Sequence, residues 1–364
     1  GQYGWYRLDR RIGRADLPEV SVVDLREELK AGNRSIFSRR LYSAMDDRMK
    51  KGQQMMLFLN RRGLSGFVSC RSCGKAIRCP HCDVTLSLHG DGSLKCHYCG
   101  YQTVQPKKCP SCGSAYIGAF RAGTQQVAEA AAKTFPGARI LRMDFDTTRQ
   151  KGGYERILEA FSKKQADILV GTQMIVKGHD FPGVTLVGAL AADLSLYAGD
   201  YRAAERTFQL LVQAAGRAGR GTTPGTAVIQ TYSPDHYSIE TAADQDYKAF
   251  FEKEMAFRRM MNYPPAAHLM ALYLMSEDEE ALNRGAVRLK ALAMSHTRQE
   301  IALIGPSDAG LSKLKDVYRK VLYLKCTEMN YLTEWKGWLE AVLPKEKQLS
   351  TFNIQFDMDP VNPF

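Results

Sequence analysis

The chain has 364 residues, 45% hydrophobic and 24% charged, enough apolar material for two or three folded domains and unlike a disordered tail or a collagen-like repeat. No apolar run approaches the roughly 20 residues of a bilayer-spanning helix, and the start Gly1-Gln2-Tyr3-Gly4-Trp5 carries no signal-peptide stretch, which predicts a cytoplasmic protein without membrane contact. The formal charge of +11 favours a polyanionic partner, and eight cysteines ionised around two zinc ions would lower it only to about +7.

Residues 1–20, with Trp5, Tyr6 and several arginines, read as a linker or domain edge. Gln53 to Asn60 is an apolar run ahead of Arg61-Arg62-Gly63 and predicts a strand buried on both faces. Eight of the nine cysteines then fall in four Cys-x-x-Cys knuckles: Cys70/Cys73, Cys79/Cys82, Cys96/Cys99 and Cys109/Cys112. A two-residue spacer lets both thiolates of a knuckle reach one tetrahedral zinc, so two knuckles close a four-thiolate site with no open position for catalysis. Disulfides are usually scattered through secreted chains and a thioredoxin-like pair needs one knuckle, so two structural zinc ions are predicted. Val84 to Leu88 and Leu94-Lys95 flank His89-Gly90-Asp91-Gly92-Ser93 as a β-hairpin. Its ends bring Cys79/Cys82 opposite Cys96/Cys99 and leave Cys70/Cys73 for Cys109/Cys112, with sequential pairing as the alternative. Because thiolates fill both sites, His81, His89 and His97 are expected to be solvated.

After the knuckles, Thr124 predicts a helix N-cap ahead of Gln125 to Phe135. A strand at Arg139 to Met143, a helix at Tyr154 to Lys164, and strands at Asp167 to Val170 and Val184 to Leu190 follow. A helix at Ala203 to Ala215 and a strand at Thr226 to Thr231 complete an alternating pattern that means a parallel α/β sheet with the zinc module inserted in it. Past Pro234 a long helix from Ile239 to Met261 stops at Pro264-Pro265, and strand, helix, strand, strand, helix, strand can be read from His268 to Asp359, a ferredoxin-like α+β order. Cys326 reads as a buried thiol, and Trp335 and Trp338 as core side chains on one helical stripe with Leu332 and Leu339.

Two blocks point to nucleotide-driven motion. Gln213-Ala214-Ala215-Gly216-Arg217-Ala218-Gly219-Arg220 closes a helix with glycines and throws two forked guanidiniums off its end, where they would clamp phosphate or else be the solvated arginines of a helix cap. It resembles motif VI of superfamily 2 helicases, and Gly171-Thr172-Gln173 with Lys177-Gly178-His179-Asp180-Phe181-Pro182 resembles motif V. Together with Phe58 to Gly63, the four knuckles, Gly123-Thr124-Gln125, Arg142 to Thr148 and Arg202-Ala203-Ala204-Glu205-Arg206, the order is similar, nearly end to end, to the PriA (primosomal protein N-prime) family.

That resemblance implies the C-terminal part of a bacterial 3′-to-5′ DNA helicase that binds stalled or abandoned replication forks and starts primosome assembly. The implied fold is a RecA-like second helicase lobe (21–66 and 119–235) with the double-zinc module (67–118) inserted, a linker (1–20) before it and an α+β domain (236–364) after it. Arg217, Arg220 and Gln213 are then catalytic, and Gly178, Asp180 and Gly216 face ATP and Mg2+. Thr124, Thr172, Gln173, Arg61 and Arg62 hold DNA. Forked and single-stranded DNA, single-stranded-DNA-binding protein and other primosome proteins are the implied partners of a monomer. Lys313, Lys315, Tyr318, Arg319 and Lys320 form a basic aromatic cluster that would touch DNA or that protein's acidic tail, or else be a solvated strand edge. The chain departs from the pattern in having no Gly-x-x-x-x-Gly-Lys-[Ser/Thr] loop and no helicase-type Asp-Glu motif ahead of the second lobe, so it is expected to be a fragment inactive alone. A zinc-ribbon binding or assembly module without an ATP role would explain knuckles and charge but not motifs V and VI. Another superfamily 2 translocase would not explain the knuckles.

Overall fold

The computed structural model describes residues 4, 6, 17–59, 66–82, 84–119, 123–176, 180–197 and 200–361. Strands β1 (Glu19–Asp24) and β2 (Gln54–Leu59) precede the cysteine-rich segment, which contributes β3 (Gly66–Cys70), β4 (Ser87–Leu88), β5 (Ser93–Lys95), β6 (Gln102–Val104) and β7 (Ile117–Ala119). Beyond it come β8 (Ile140–Met143), β9 (Ile168–Gly171), β10 (Val184–Leu190) and β11 (Thr226–Thr231). Six of these form one sheet in the order β1-β11-β10-β2-β9-β8, every pair parallel.

A parallel sheet needs helices on both faces, and β2 is accordingly buried at every position. Met56 and Phe58 point into a core with Phe161, Ile175, Phe208 and Leu211, while Met55, Leu57 and Leu59 point to the other face, against Leu41 and Met45 of the helix Arg39–Lys50 and Val127 of the helix Thr124–Thr134. Each such large side chain contributes about 1.5–3 kcal/mol by leaving water.

The cysteine-rich strands make their own antiparallel sheet, β6-β5-β4-β3-β7, in which β4 and β5 are the expected hairpin. The C-terminal sheet is β13-β14-β12-β15, from β12 (His268–Ser276), β13 (Ala302–Leu314), β14 (Val317–Cys326) and β15 (Asn353–Met358). With the helices Glu279–Ser295 and Met329–Val342 it has the ferredoxin-like order read from the sequence. Strand alternation divides its faces. Met270, Leu272, Leu322, Leu324 and Cys326 pack on those two helices with Trp335, whereas Leu269, Ala271, Tyr273, Val321 and Tyr323 pack on the zinc module. No helix among the described residues is long and apolar enough to cross a membrane.

Three expectations are corrected. The long helix after Pro234 is two, Tyr237–Ala243 and Tyr247–Met261, because Gln245 takes a left-handed φ of +55° and Asp246 starts a new helix by accepting the Ala249 N–H at 3.0 Å. The N-cap of Thr124–Thr134 is Gly123, whose N–H donates to Gln126 Oε1 at 2.6 Å, so Thr124 is the first helical residue. His97 is not solvated: it is buried, its Nδ1 lies 3.2 Å from the Asp308 carbonyl, and its own carbonyl accepts from Ser307 Oγ at 2.6 Å, since the C-terminal domain covers this knuckle. Residues 7–16 of the expected linker lie outside the described residues, and β1 already starts at Glu19. The basic cluster sits at the β13–β14 turn, where Lys313 pairs with Asp316 at 3.1 Å and Lys320 with Asp308 at 2.7 Å.

Candidate nucleic-acid and nucleotide interface

In a parallel sheet the C-terminal strand ends share one edge, so β8 and β9, paired Met143 to Gly171, deliver Asp144 and Thr172 side by side. The Asp144 carboxylate accepts from Thr124 Oγ1 and, at 3.0 Å, from the Thr147 N–H, and pairs with Arg142 at 2.9 Å. Burial alone would raise the Asp144 pKa, but the hydrogen bonds from Thr124 and Thr147 and the Arg142 charge hold it below the usual carboxylate range. Asp144 therefore remains an anion occupied within the protein, and it anchors the first turn of the helix Thr124–Thr134, whose leading N–H groups have no carbonyl of their own helix to bond. Half-buried Thr172 opens the short helix Gln173–Val176 and accepts the Ile175 N–H at 3.1 Å. Gly171 makes that approach possible: a Cβ there would stand 2.4 Å from Ile175 Cγ2 and 2.6 Å from the Met143 carbonyl oxygen.

The arginine block follows the helix Ala203–Ala215, which packs on the sheet through Phe208, Leu211, Ala214 and Ala215. Gly219, at φ +71°, donates its N–H to Val184 O at 3.0 Å and lies so close to Gly225 that a Cβ would be 2.4 Å from that backbone nitrogen. This turn leaves Gln213 and Arg220 exposed and Arg217 half-buried, beyond Gly216. Arg220 donates to Gly216 O at 2.9 Å and faces Asp180 at 3.6 Å. Arg217 Nε donates to Val176 O at 2.8 Å; burial and the neighbouring Arg220 pull its pKa down, with Asp180 opposing them. Thus Thr124, Thr172 and Gln173 gather at one end of Gln173–Val176, and Asp180, Arg217 and Arg220 at the other. Arg61, Arg62 and Gly178 lie outside the described residues.

The cysteines form two groups, Cys70, Cys73, Cys109, Cys112 and Cys79, Cys82, Cys96, Cys99, each with its sulfurs within 4.8 Å of one another. This is the nested pairing. Cys70–Cys112, Cys73–Cys109 and Cys79–Cys99 sulfurs lie 3.6, 3.7 and 3.5 Å apart. Sulfurs on a tetrahedral zinc sit about 3.8 Å apart, so both groups fit the ion. Burial pushes the thiols of Cys73 and Cys79 up to about 12, so a cation is required for four thiolates to coexist here. The first group abuts the parallel α/β lobe: Tyr197 OH donates to Gly74 O at 2.9 Å, and a Cβ on Gly74 would collide with Tyr232 O at 2.0 Å. The second abuts the C-terminal domain, with Tyr98 fully buried and its ring 5.1 Å from that of Tyr323.

Sequence reasoning did not assign a role to Asp144, although an aspartate directly after a predicted strand and three residues before Thr147 is a readable cap. The buried Asp193, which accepts from Thr231 Oγ1 at 2.7 Å and Tyr232 N–H at 2.8 Å, was equally silent because its partners come from a distant strand.

Residues 259–361 match the Primosomal protein N C-terminal domain, residues 79–103 the PriA DNA helicase Cys-rich region, and residues 119–222 the Helicase conserved C-terminal domain. The chain is 44% identical over 364 residues to Replication restart protein PriA of Bacillus subtilis (strain 168), covering 99% of this chain and 45% of that protein. With Replication restart protein PriA of Synechocystis the identity is 42% over 370 residues, covering 99% and 43%. Among solved structures, domain 2 of the DEAD-box helicase Mss116p bound to an RNA duplex is 12% identical with a TM-score of 0.32, over 62% of this chain and 59% of that one, too loose an overlap to argue from. The chain spans about half the length of the curated relatives it matches. On its sequence identity and its Cys-rich and C-terminal domains, the chain belongs to the PriA replication-restart family.

Proposed function

We propose that this chain supplies the second motor lobe, the zinc module and the C-terminal domain of an ATP-dependent 3′-to-5′ DNA helicase that binds stalled or abandoned forks and initiates primosome assembly. The observation that carries the reading is the helix Gln173–Val176, which joins the strand-end edge to an arginine pair: Thr172 stands at its start, and Arg217 bonds its last carbonyl at 2.8 Å. In this reading the N–H groups at the start of Thr124–Thr134, with Thr172 and Gln173, hold successive DNA phosphates without reading bases, and Arg61 and Arg62 add charge. Arg217 and Arg220, with Gln213, Gly216, Gly178 and Asp180, face ATP and its Mg2+ held by a first lobe, and supply positive charge where the phosphoryl transition state develops negative charge. A change at Arg217 reaches Thr172 through one turn of helix, which supports coupling between nucleotide state and DNA grip. The zinc ions cross-link the module and take no part in hydrolysis. Forked DNA, single-stranded-DNA-binding protein and other primosome proteins are the proposed partners, in the bacterial cytoplasm.

Phosphate-release and anisotropy assays test this. This chain alone is expected to show no DNA-stimulated ATP hydrolysis but to bind DNA with affinity falling about ten-fold or more from roughly 50 to 200 mM salt. In a full-length protein of the family, the substitution equivalent to Arg217→Ala should abolish hydrolysis and spare DNA binding. Robust turnover by this chain, or no DNA binding at low salt, contradicts the reading.

A further inference from the structure

Among the described residues eight phenylalanines are buried, yet Phe145 is 73% exposed, the most exposed of them all. Its backbone is firmly held. Asp144 before it is bonded by Thr124, Thr147 and Arg142, and Thr148 Oγ1 donates to Asp144 O at 2.7 Å. The Arg149 guanidinium lies 5.7 Å from the ring's centroid, and exposed Arg149 and Lys151 outweigh exposed Asp146 in the adjoining sequence. An apolar ring kept in water on a rigid mount gains nothing for folding. It lies one residue from the carboxylate that anchors Thr124, at the edge to which phosphate contacts are assigned above.

We propose that Phe145 stacks on an unpaired base and so makes this edge of the lobe select single-stranded over duplex DNA. The inference rests on the DNA-binding reading and adds to it a contact that backbone phosphates cannot provide. A base placed against the ring has the Arg149 cation beside it and phosphate donors of the Thr124 turn one residue away, so a nucleotide's three parts meet matching chemistry. Every base presents a π face, so the contact is indifferent to sequence, and in a duplex those faces are already stacked and out of reach.

The test compares Phe145→Ala, Phe145→Trp and the parent chain for binding to single-stranded DNA, to the same strand with abasic sites, and to duplex. Loss of one stacked base predicts an affinity for single strands lower by about five- to fifty-fold in Phe145→Ala, restoration in Phe145→Trp, and duplex binding changed by less than about two-fold. On the abasic strand the parent should fall to the level of Phe145→Ala. Because the ring is exposed, unchanged circular dichroism is expected for both variants. Equal binding of Phe145→Ala and parent to single strands overturns the stacking role, as does an equal loss on normal and abasic strands. Thr172→Ala separates the two readings: if it weakens all DNA binding while Phe145→Ala does not, only the stacking role falls, and if the parent binds no DNA at low salt, both fall.

Discussion

His236 accepts the Ser238 N–H at 3.2 Å at the start of the helix Tyr237–Ala243, and burial, aided by the Arg78 charge, lowers its pKa to about 4. An unfolded histidine titrates near 6.5, so between about pH 6.5 and 4 the unfolded chain binds more protons than the folded one, and stability falls as the medium is acidified through that window. The contribution is fully present above pH 6.5 and amounts to about 2–3 kcal/mol. His236→Asn keeps a capping acceptor and removes the titration. The difference in unfolding free energy between parent and variant should therefore change by about this amount from pH 7 to pH 4. Parallel pH profiles would show that His236 is free to protonate in the fold.

Between the helices Tyr237–Ala243 and Tyr247–Met261 the chain turns at Gln245, and Asp246 supplies the side-chain acceptor that a new first turn requires. The break gives the second helix its own direction, and Arg258 on it reaches Glu254 at 2.7 Å, Glu205 at 2.6 Å and Pro264 O at 2.8 Å. Glu205 belongs to the helix that ends in the Arg217 turn, so this buried network ties the arginine block to the start of the C-terminal domain. Asp246→Ala should cost about 1 kcal/mol in urea unfolding, the usual worth of an N-cap. An uncapped continuous helix would instead tolerate the change or gain from alanine. Both helices were legible as one amphipathic stretch, since apolar positions resume at Tyr247 and Phe250 after only three polar residues, Asp244 to Asp246. The break was not legible, because one left-handed residue leaves no mark on hydrophobic period.

Across the whole molecule the zinc module stands between the other two parts and touches both, with Gly74 on Tyr232 and Tyr98 in the aromatic cluster of Tyr263 and Tyr323. The two metal sites consequently have different mechanical consequences. Elemental analysis should find two zinc ions per chain, falling to about one in either Cys109→Ser or Cys96→Ser, because a three-thiolate structural site holds its metal weakly. Proteolysis between Met261 and His268 should rise strongly in Cys96→Ser, whose site carries Tyr98, and little in Cys109→Ser. One zinc in the parent chain, or the same cleavage in both variants, would contradict this division of labour.

The parallel lobe, the ferredoxin-like order and the knuckles could be read from the sequence, because period, spacing and a Gly-rich turn act over a few residues and are written locally; the hairpin favoured nested over sequential pairing, and the two cysteine groups in the fold decide it. The sequence also singled out Thr124, Thr172, Arg217 and Arg220 as candidate site residues. Only the tertiary structure decided that Asp144 bonds Thr124 and that Arg217 bonds Val176, because each pair is joined through neighbouring strands or helices far apart in the chain. It alone covered His97 with the C-terminal domain and left Phe145 in water. Burial is a property of what packs against a side chain, and for these residues that partner, or its absence, comes from another part of the fold.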